Sequence, residues 1–466
     1  MQTGTIESIK VEKLFGHFDY EVPEGGTLKN PSILYGDNGV GKSTLLTLVF
    51  HLLSSAGDRG HRTAIYGTPF LSLSVRLKNG YTLKAEREDD AESPLLIFSI
   101  YEGARLHAEW KYRKGYRQPD YFADSDISDI VLDQLLNENE ISASIAREIR
   151  LKRSKAPDDG VRRGEQQYLR ALSECSPTIF LVSAERRLDS DAVSDPTEEL
   201  ELREIFHENR GRRVGDLVKR SRQIALKQAL LKASRWVQQR ALRSATQGSM
   251  NVHSVYEQIL GQLATDYNNE DTPLQSSSIS EIVDKLDTIA KDSTSYSRYE
   301  ITGAIDVDRF RNALTSGPEQ GRAISAKLID PYVRSVLSRL EAIAPIYKKL
   351  DEFIRQINTF LTRKTLTFSM SKGFMIVSNA GEDLEASQLS SGEQQLLLMF
   401  CYALTAQDQP SVFIVDEPEI SLNIKWQRQL LKSLNQVTQG TETQFIFASH
   451  SLELIAQHRD SVVEIG

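Results

Sequence analysis

Residues 32–46 read Ser-Ile-Leu-Tyr-Gly-Asp-Asn-Gly-Val-Gly-Lys-Ser-Thr-Leu-Leu. The short apolar run Ser32–Tyr35 has the length and character of a buried strand. Gly36–Ser43 fits the spacing G-x4-G-K-[ST], and Thr44-Leu45-Leu46 opens a helix directly behind it. An ordinary glycine-rich turn would need neither flank. Glycines let the backbone curl so that its N–H groups point inward at phosphate oxygens. The helix start adds its positive dipole end. Lys42 is placed to reach the β- and γ-phosphates of a nucleotide, and the Ser43 hydroxyl can hold magnesium. The segment predicts an α/β fold with Asn38, Gly39, Gly41, Lys42, Ser43 and Thr44 around the phosphates of a nucleotide.

Three later segments enlarge this site. Val412-Phe413-Ile414-Val415 is continuously apolar, as a parallel strand covered on both faces should be. It ends in Asp416-Glu417, at the strand end where open α/β sheets place ligands. Asp416 can join the magnesium shell, and Glu417 can accept a proton from an attacking water. Leu389-Ser390-Ser391-Gly392-Glu393-Gln394-Gln395 leads into the apolar helix Leu396–Leu404, and Ser391 precedes Val412 by 21 residues. Read plainly, its serines form a helix N-cap. Last comes Phe445-Ile446-Phe447-Ala448-Ser449-His450, a strand ending in a histidine.

P-loop, LSSGE, apolar-Asp-Glu and strand-His, in that order, resemble the ABC-type ATPases. In that family the signature of one subunit closes over the γ-phosphate held by the P-loop of another. The resemblance therefore implies that Ser391, Gly392 and Glu393 act in trans and that His450 is the switch histidine sensing the γ-phosphate. It implies ATP and Mg2+ as cofactors, with Ser43 and Asp416 on the metal and Glu417 and His450 as the catalytic pair. Nearly 350 residues separate P-loop from signature, far more than in transporter ATPases. YGDNGVGKST, LSSGEQQ and DEPEISLN are instead similar to the RecF, Rad50 and OLD group, and the layout resembles ATPase subunits of bacterial antiphage systems such as PARIS and Septu. Asn423 departs from the histidine many relatives carry after Ser-Leu, which bears on the subunit-crossing contact expected of Ile420–Asn423. No Q-loop glutamine is assigned; Phe180–Arg186 would fill that slot, with Arg186 near the nucleotide.

Outward from the motifs, the two ends of the chain are alike and the middle differs. Alternating runs at Thr5–Val11, His17–Val22, Leu71–Leu77 and Tyr81–Glu86 predict strands, the last two joined by an Asn79-Gly80 hairpin turn. Leu226, Leu230, Ala233, Val237 and Ala241 recur at helical spacing within a largely helical region, residues 198–360, and strand patterning returns from Thr365. The expected organisation is an ATPase lobe over residues 1–186, a helical insertion over 187–360 and a second ATPase lobe over 361–466. The insertion lacks sustained heptads, which argues against long coiled-coil arms.

Composition limits the role. Cys175 and Cys401 are the only cysteines, so neither a disulfide framework nor zinc-ligand spacing exists. No run approaches the roughly 18 apolar residues of a membrane span, and the N-terminus lacks a signal-peptide layout. A cytoplasmic protein without membrane contact is expected. The net charge of −8 disfavours a wholly basic nucleic-acid binder. Locally, though, Arg203–Arg243 holds twelve Lys or Arg against Glu204, Glu208 and Asp216. That stripe suits a phosphate backbone, an acidic partner or a solvated helix face. Sixteen residues follow His450, so no fused nuclease is expected and destructive activity is assigned to another polypeptide. The resulting expectation is an ATPase that pairs with itself and senses or scaffolds for a separate nuclease-type effector in antiphage defence. The alternative is a RecF-like, DNA-binding ATPase of repair or recombination.

Overall fold

The computed structural model describes residues 4–57, 59–88, 95–113, 159–183, 188–191, 214–249, 257, 261, 279–420 and 422–465. Arg186 and the first part of the basic stripe lie outside the described residues or have no described side chains. Two compact units emerge. One comprises Met1–Arg212, Ala406–Lys432 and Thr438–Gly466; the other comprises Arg213–Thr405 and Ser433–Val437.

The first unit holds two six-stranded sheets. In the antiparallel sheet the order is β2-β1-β4-β5-β6-β7, built from β1 (Ile6–Leu14), β2 (Phe18–Val22), β4 (Ser72–Leu77), β5 (Tyr81–Glu88), β6 (Leu95–Glu102) and β7 (Arg105–Tyr112). The β4–β5 hairpin turns at Gly80, whose φ of 88° is open to glycine, and Asn79 accepts the Tyr81 N–H on its side-chain oxygen. The second sheet runs β15-β3-β14-β13-β8-β9. Its members are β3 (Ser32–Tyr35), β8 (Thr178–Val182), β9 (Leu188–Asp189), β13 (Ser411–Asp416), β14 (Thr443–Ala448) and β15 (Val462–Glu464). All of its pairings are parallel except β8 with β9.

Helix α1 (Lys42–Leu53) runs between these sheets, touching β5 on one side and β8, β13 and β14 on the other. A helix so placed must be apolar nearly all round. Leu45, Leu46, Leu48, Val49, Phe50, Leu52 and Leu53 are each at most 2% exposed. At about 1.5–3 kcal/mol per buried large side chain, they anchor the loop that precedes the helix. Two further helices complete this layer, α2 (His61–Gly67) and α3 (Asp159–Cys175).

The second unit is mostly helical: α4 (Val214–Ser249), α5 (Ile279–Ser297), α6 (Asp308–Thr315) and α7 (Glu319–Phe360). A small sheet follows, β10 (Lys364–Ser369), β11 (Gly373–Ser378) and β12 (Asp383–Leu384), then helix α8 (Ser391–Thr405). The periodic face of α4 is the buried one: Leu226, Ala233, Val237 and Ala241 are at most 2% exposed. Phe360 of α7 meets Phe400 of α8 at 5.7 Å, and the Ser234 hydroxyl of α4 accepts the Phe374 N–H of β11. These contacts group β10–β12 and α8 with the helices of the second unit, whose main segment ends at Thr405. The chain returns to the first unit through β13, then α9 (Ile424–Val437), β14 and α10 (Leu452–Gln457), with Ser433–Val437 of α9 counted in the second unit.

Candidate active site

The strand order β3-β14-β13 sets the loop after β3 one strand away from the end of β13. Gly39 and Gly41 both take φ of 87°, a left-handed geometry that a side chain would strain. Gly36 is required for another reason: a Cβ there would lie 1.9 Å from the Ile465 carbonyl beside β15. Tyr20 pins the loop by donating to the Val40 carbonyl at 2.8 Å, and Phe15, 41% exposed, lies against Gly41. Asp37, Asn38 and Gly39 at the tip are exposed, as is Ser43. Lys42, by contrast, is 6% exposed and donates to the Gly36 and Asp37 carbonyls at 2.9 and 2.8 Å. Burial lowers its pKa against the pull of Asp416, Glu417, Asp37 and Glu419.

Ser43 closes the gap to β13, donating to Oδ1 of Asp416 at 2.9 Å. Asp416 is 8% exposed. Burial raises its pKa; Glu417 and Glu419 reinforce that, while Ser43 and Lys42 oppose it. Such a carboxylate calls for positive charge. Beyond it the chain turns sharply, Glu417 taking φ of 48° while its N–H donates to the Ala448 carbonyl at 2.8 Å. Glu419 then reaches across to the segment after β14: its carboxylate accepts the Ser449 hydroxyl at 2.9 Å and the His450 N–H at 2.7 Å. Asn423 caps α9 by accepting the Trp426 N–H at 2.9 Å, a role asparagine fills well.

In the other unit, the signature opens α8 through a capping box. Ser390 Oγ accepts the Glu393 N–H at 3.3 Å, and Glu393 Oε2 accepts the Ser390 N–H at 2.7 Å. Lys364 of β10 holds that carboxylate at 2.9 Å. Gln394 folds back onto the Ala386 and Leu389 carbonyls. Ser391 is exposed and Gly392 lies beside it at the helix start. Glu393 is 6% exposed, and its Oε2 is held within its own unit by Lys364 and the Ser390 N–H, where it braces the turn.

Residues 253–456, which take in α8, β13 and His450, match the family model described as "AAA domain, putative AbiEii toxin, Type IV TA system". The oligopeptide transport ATP-binding protein OppD of Mycoplasma genitalium is 30% identical over 165 residues, 35% of this chain and 38% of that protein. The molybdenum import ATP-binding protein ModC of Yersinia pestis bv. Antiqua is 36% identical over 75 residues, 16% of this chain and 20% of that protein. The chain thus spans under two fifths of the length of these relatives. A solved Smc head domain with an extended coiled coil, bound to the C-terminal domain of ScpA and derived from Pyrococcus furiosus, aligns over 97% of this chain and 92% of that one. The identity is 13% and the TM-score 0.33. The fold is α/β, with a parallel sheet that sets the G-x4-G-K-S loop after β3 near the end of β13.

The residues read from the sequence divide between the units. Asn38–Thr44, Asp416, Glu417 and His450 belong to the first, and Ser391–Glu393 to the second. The first group fits a magnesium nucleotide. The two oxygens at the Ser43–Asp416 contact are hard donors of the kind magnesium takes, and Asp416 is a buried carboxylate short of positive charge. Gly39 is exposed, and beyond its chain neighbours no atom lies within 4 Å of where a Cβ would stand. Sequence reading missed Tyr20, Lys364 and Glu419. Each meets its partner 20 or more residues away, so no local pattern announces it. No helix among the described residues is long and apolar enough to cross a membrane.

Proposed function

We propose that this chain binds and hydrolyses ATP and that two copies complete each other's sites. The observation carrying the reading is the Ser43–Asp416 hydrogen bond, which joins the phosphate loop to the end of β13. The amides of Asn38–Thr44 would receive the phosphates, with Lys42 exchanging its carbonyl partners for phosphate oxygens. Ser43 and Asp416 would hold magnesium, which supplies charge neutralisation at the β- and γ-phosphates. Glu417 takes the proton of the attacking water and orients it. His450 reads the γ-phosphate, and Ser391 with Gly392 from a second copy covers it. Purified protein should release phosphate from ATP, and Lys42→Ala should abolish that release. Turnover unchanged by Lys42→Ala would reject the assignment.

The ATP cycle, in this reading, controls a separately encoded nuclease-type effector in antiphage defence. Support comes from the resemblance of the motif set to antiphage ATPases and from the matched family description, which names a toxin and a toxin–antitoxin system. Lys42→Ala should remove phage protection at unchanged protein abundance. Full protection from a variant shown to lack ATPase would reject this role.

One observation favours the DNA-binding alternative. On α4, Lys227, Lys232, Arg235 and Arg243 are exposed, and no acidic residue occurs from 217 to 256. If DNA lies there, affinity should fall steeply with salt, and reversing Arg235 and Arg243 to Glu should reduce both affinity and salt slope. Salt-insensitive or absent binding would reject it. The exposed Leu231 and Leu242 on the same helix suit a protein surface better.

A further inference from the structure

The turn after β13 and the segment after β14 carry the two residues assigned to hydrolysis and sensing, and a single side chain joins them. Glu419 spends both carboxylate oxygens on the far segment: Oε1 accepts the His450 N–H at 2.7 Å and Oε2 the Ser449 hydroxyl at 2.9 Å. Ser449 is fully buried and also accepts the Ser451 N–H at 3.0 Å. Ser451, which caps α10, donates to Gln427 of α9 at 2.8 Å. Gln427 in turn donates to the Leu422 carbonyl at 2.9 Å and, at 3.4 Å, to the carbonyl of Glu419 itself. The hydrogen bonds therefore close a ring, Glu419–Ser449–Ser451–Gln427–Glu419. Glu417, whose N–H donates to the Ala448 carbonyl, and His450, whose N–H donates to Glu419, adjoin this ring, and Leu422 lies in the Ile420–Asn423 stretch.

We propose that Glu419 is a positioning residue that holds His450 in register with Glu417 and links both to the Ile420–Asn423 segment. This rests on the ATPase reading. The chemistry of the position is narrow. Two donors, one N–H and one O–H, converge on it, and a carboxylate can accept both. In an amide of the same length one of these two oxygens becomes an NH2 donor and faces a donor, and aspartate is a methylene short of the span. Glu419 makes no hydrogen bond or ion pair with Lys42, Ser43 or Asp416; beyond the charge it adds near Lys42 and Asp416, its side-chain contacts act on the Ser449–His450 segment.

The test is a double-mutant cycle on the intact protein, using Glu419→Ala, His450→Ala and the pair, with kcat and KM for ATP measured for each. Loss of two charge-assisted hydrogen bonds should lower kcat about tenfold or more in Glu419→Ala. KM should stay within about twofold, because the phosphate loop is untouched. In the His450→Ala background the same change should cost under about twofold, since the residue acts through the histidine. Glu419→Gln, which keeps one of the two contacts and the side-chain volume, should recover part of kcat, and it serves if the alanine variant folds poorly. Additive losses in the cycle would overturn the positioning role while leaving the ATPase standing. A raised KM at unchanged kcat would do the same. Absence of Lys42-dependent hydrolysis in the wild-type protein would overturn the ATPase reading and this inference with it.

Discussion

Glu417 occupies a backbone conformation, φ of 48°, that few residues with a Cβ adopt and that tends to occur where function over-determines the chain. Here the over-determination is visible: its N–H is held by Ala448 and the next turn is held by Glu419. Glu417→Gln keeps shape and leaves Asp416 in place, so ATP binding should survive while hydrolysis falls about a hundredfold or more. Phosphate release and a nucleotide-binding titration check both halves, and near-normal turnover would refute the role. Asp416 makes the opposite bargain between stability and function. Its folded pKa is raised, by burial first and then by Glu417 and Glu419. A carboxyl raised on folding binds its proton more readily in the native chain, so native stability grows as pH falls through that raised value and is least above it. Asp416→Asn removes this burden while its side-chain oxygen can still accept from Ser43. The expected outcome is a higher melting temperature at neutral pH with loss of magnesium-dependent turnover. A lower melting temperature, with the fold shown intact, would contradict it.

Helix α8 owes its start to three side chains whose work is local. Ser390 and Glu393 satisfy each other's backbone N–H groups, so Ser390→Ala should cost about 1 kcal/mol of stability. Lys364 adds the ion pair that lets a carboxylate only 6% exposed remain charged. Burial opposes ionisation of Glu393, but Lys364 and the Ser390 contacts outweigh it, and the pKa lies below its ordinary 4.5. For a carboxyl depressed on folding, the stability it brings is full above its unfolded pKa and is lost as pH falls through the folded one. Denaturation midpoints measured from neutral pH downward should therefore fall below about pH 4.5 more steeply in wild type than in Glu393→Gln. Equal slopes would refute the pairing. Helix α7 teaches a different lesson: it runs 42 residues through Pro331 and Pro345. Each proline removes one backbone hydrogen bond and ordinarily breaks a helix. Packing of Val333, Leu340, Ile343, Ile346 and Leu350 in the second unit's interior supports it through both.

The P-loop and the Ser391–Glu393 segment belong to different compact units, and the proposed pairing of chains is tested at the level of the whole molecule. Lys42→Ala removes the phosphate lysine, and Ser391→Arg puts bulk and charge at an exposed helix start. Each variant alone should be inactive, because both sites of its homodimer are damaged. In a mixed dimer one site combines the intact Lys42 of one chain with the intact Ser391 of the other. Random mixing makes about half the dimers mixed, with one working site of two, so activity should return to about a quarter of wild type. With subunit exchange confirmed by labelling, no recovery, in a covalently linked mixed dimer as well, would show that the signature does not act in trans.

By itself the sequence determined the fold class, the strand–loop–helix at Ser32–Leu46, the buried strand ending in Asp416-Glu417 and the capped start of α8. These are legible because each rests on neighbours a few residues apart: glycines that must take positive φ, an apolar run, a serine three residues before a glutamate. Only the tertiary structure decided that Glu393 faces inward, that β10–β12 and α8 pack with the inserted helices, and that Tyr20, Lys364 and Glu419 hold the site in shape. Their partners are Val40, Glu393 and the Ser449–His450 segment, contacts made by the order of strands in a sheet and the packing of helices. A hydrogen bond across 20 or 30 residues leaves no periodicity in the chain, because its cause is the folded geometry and not the local run of side chains.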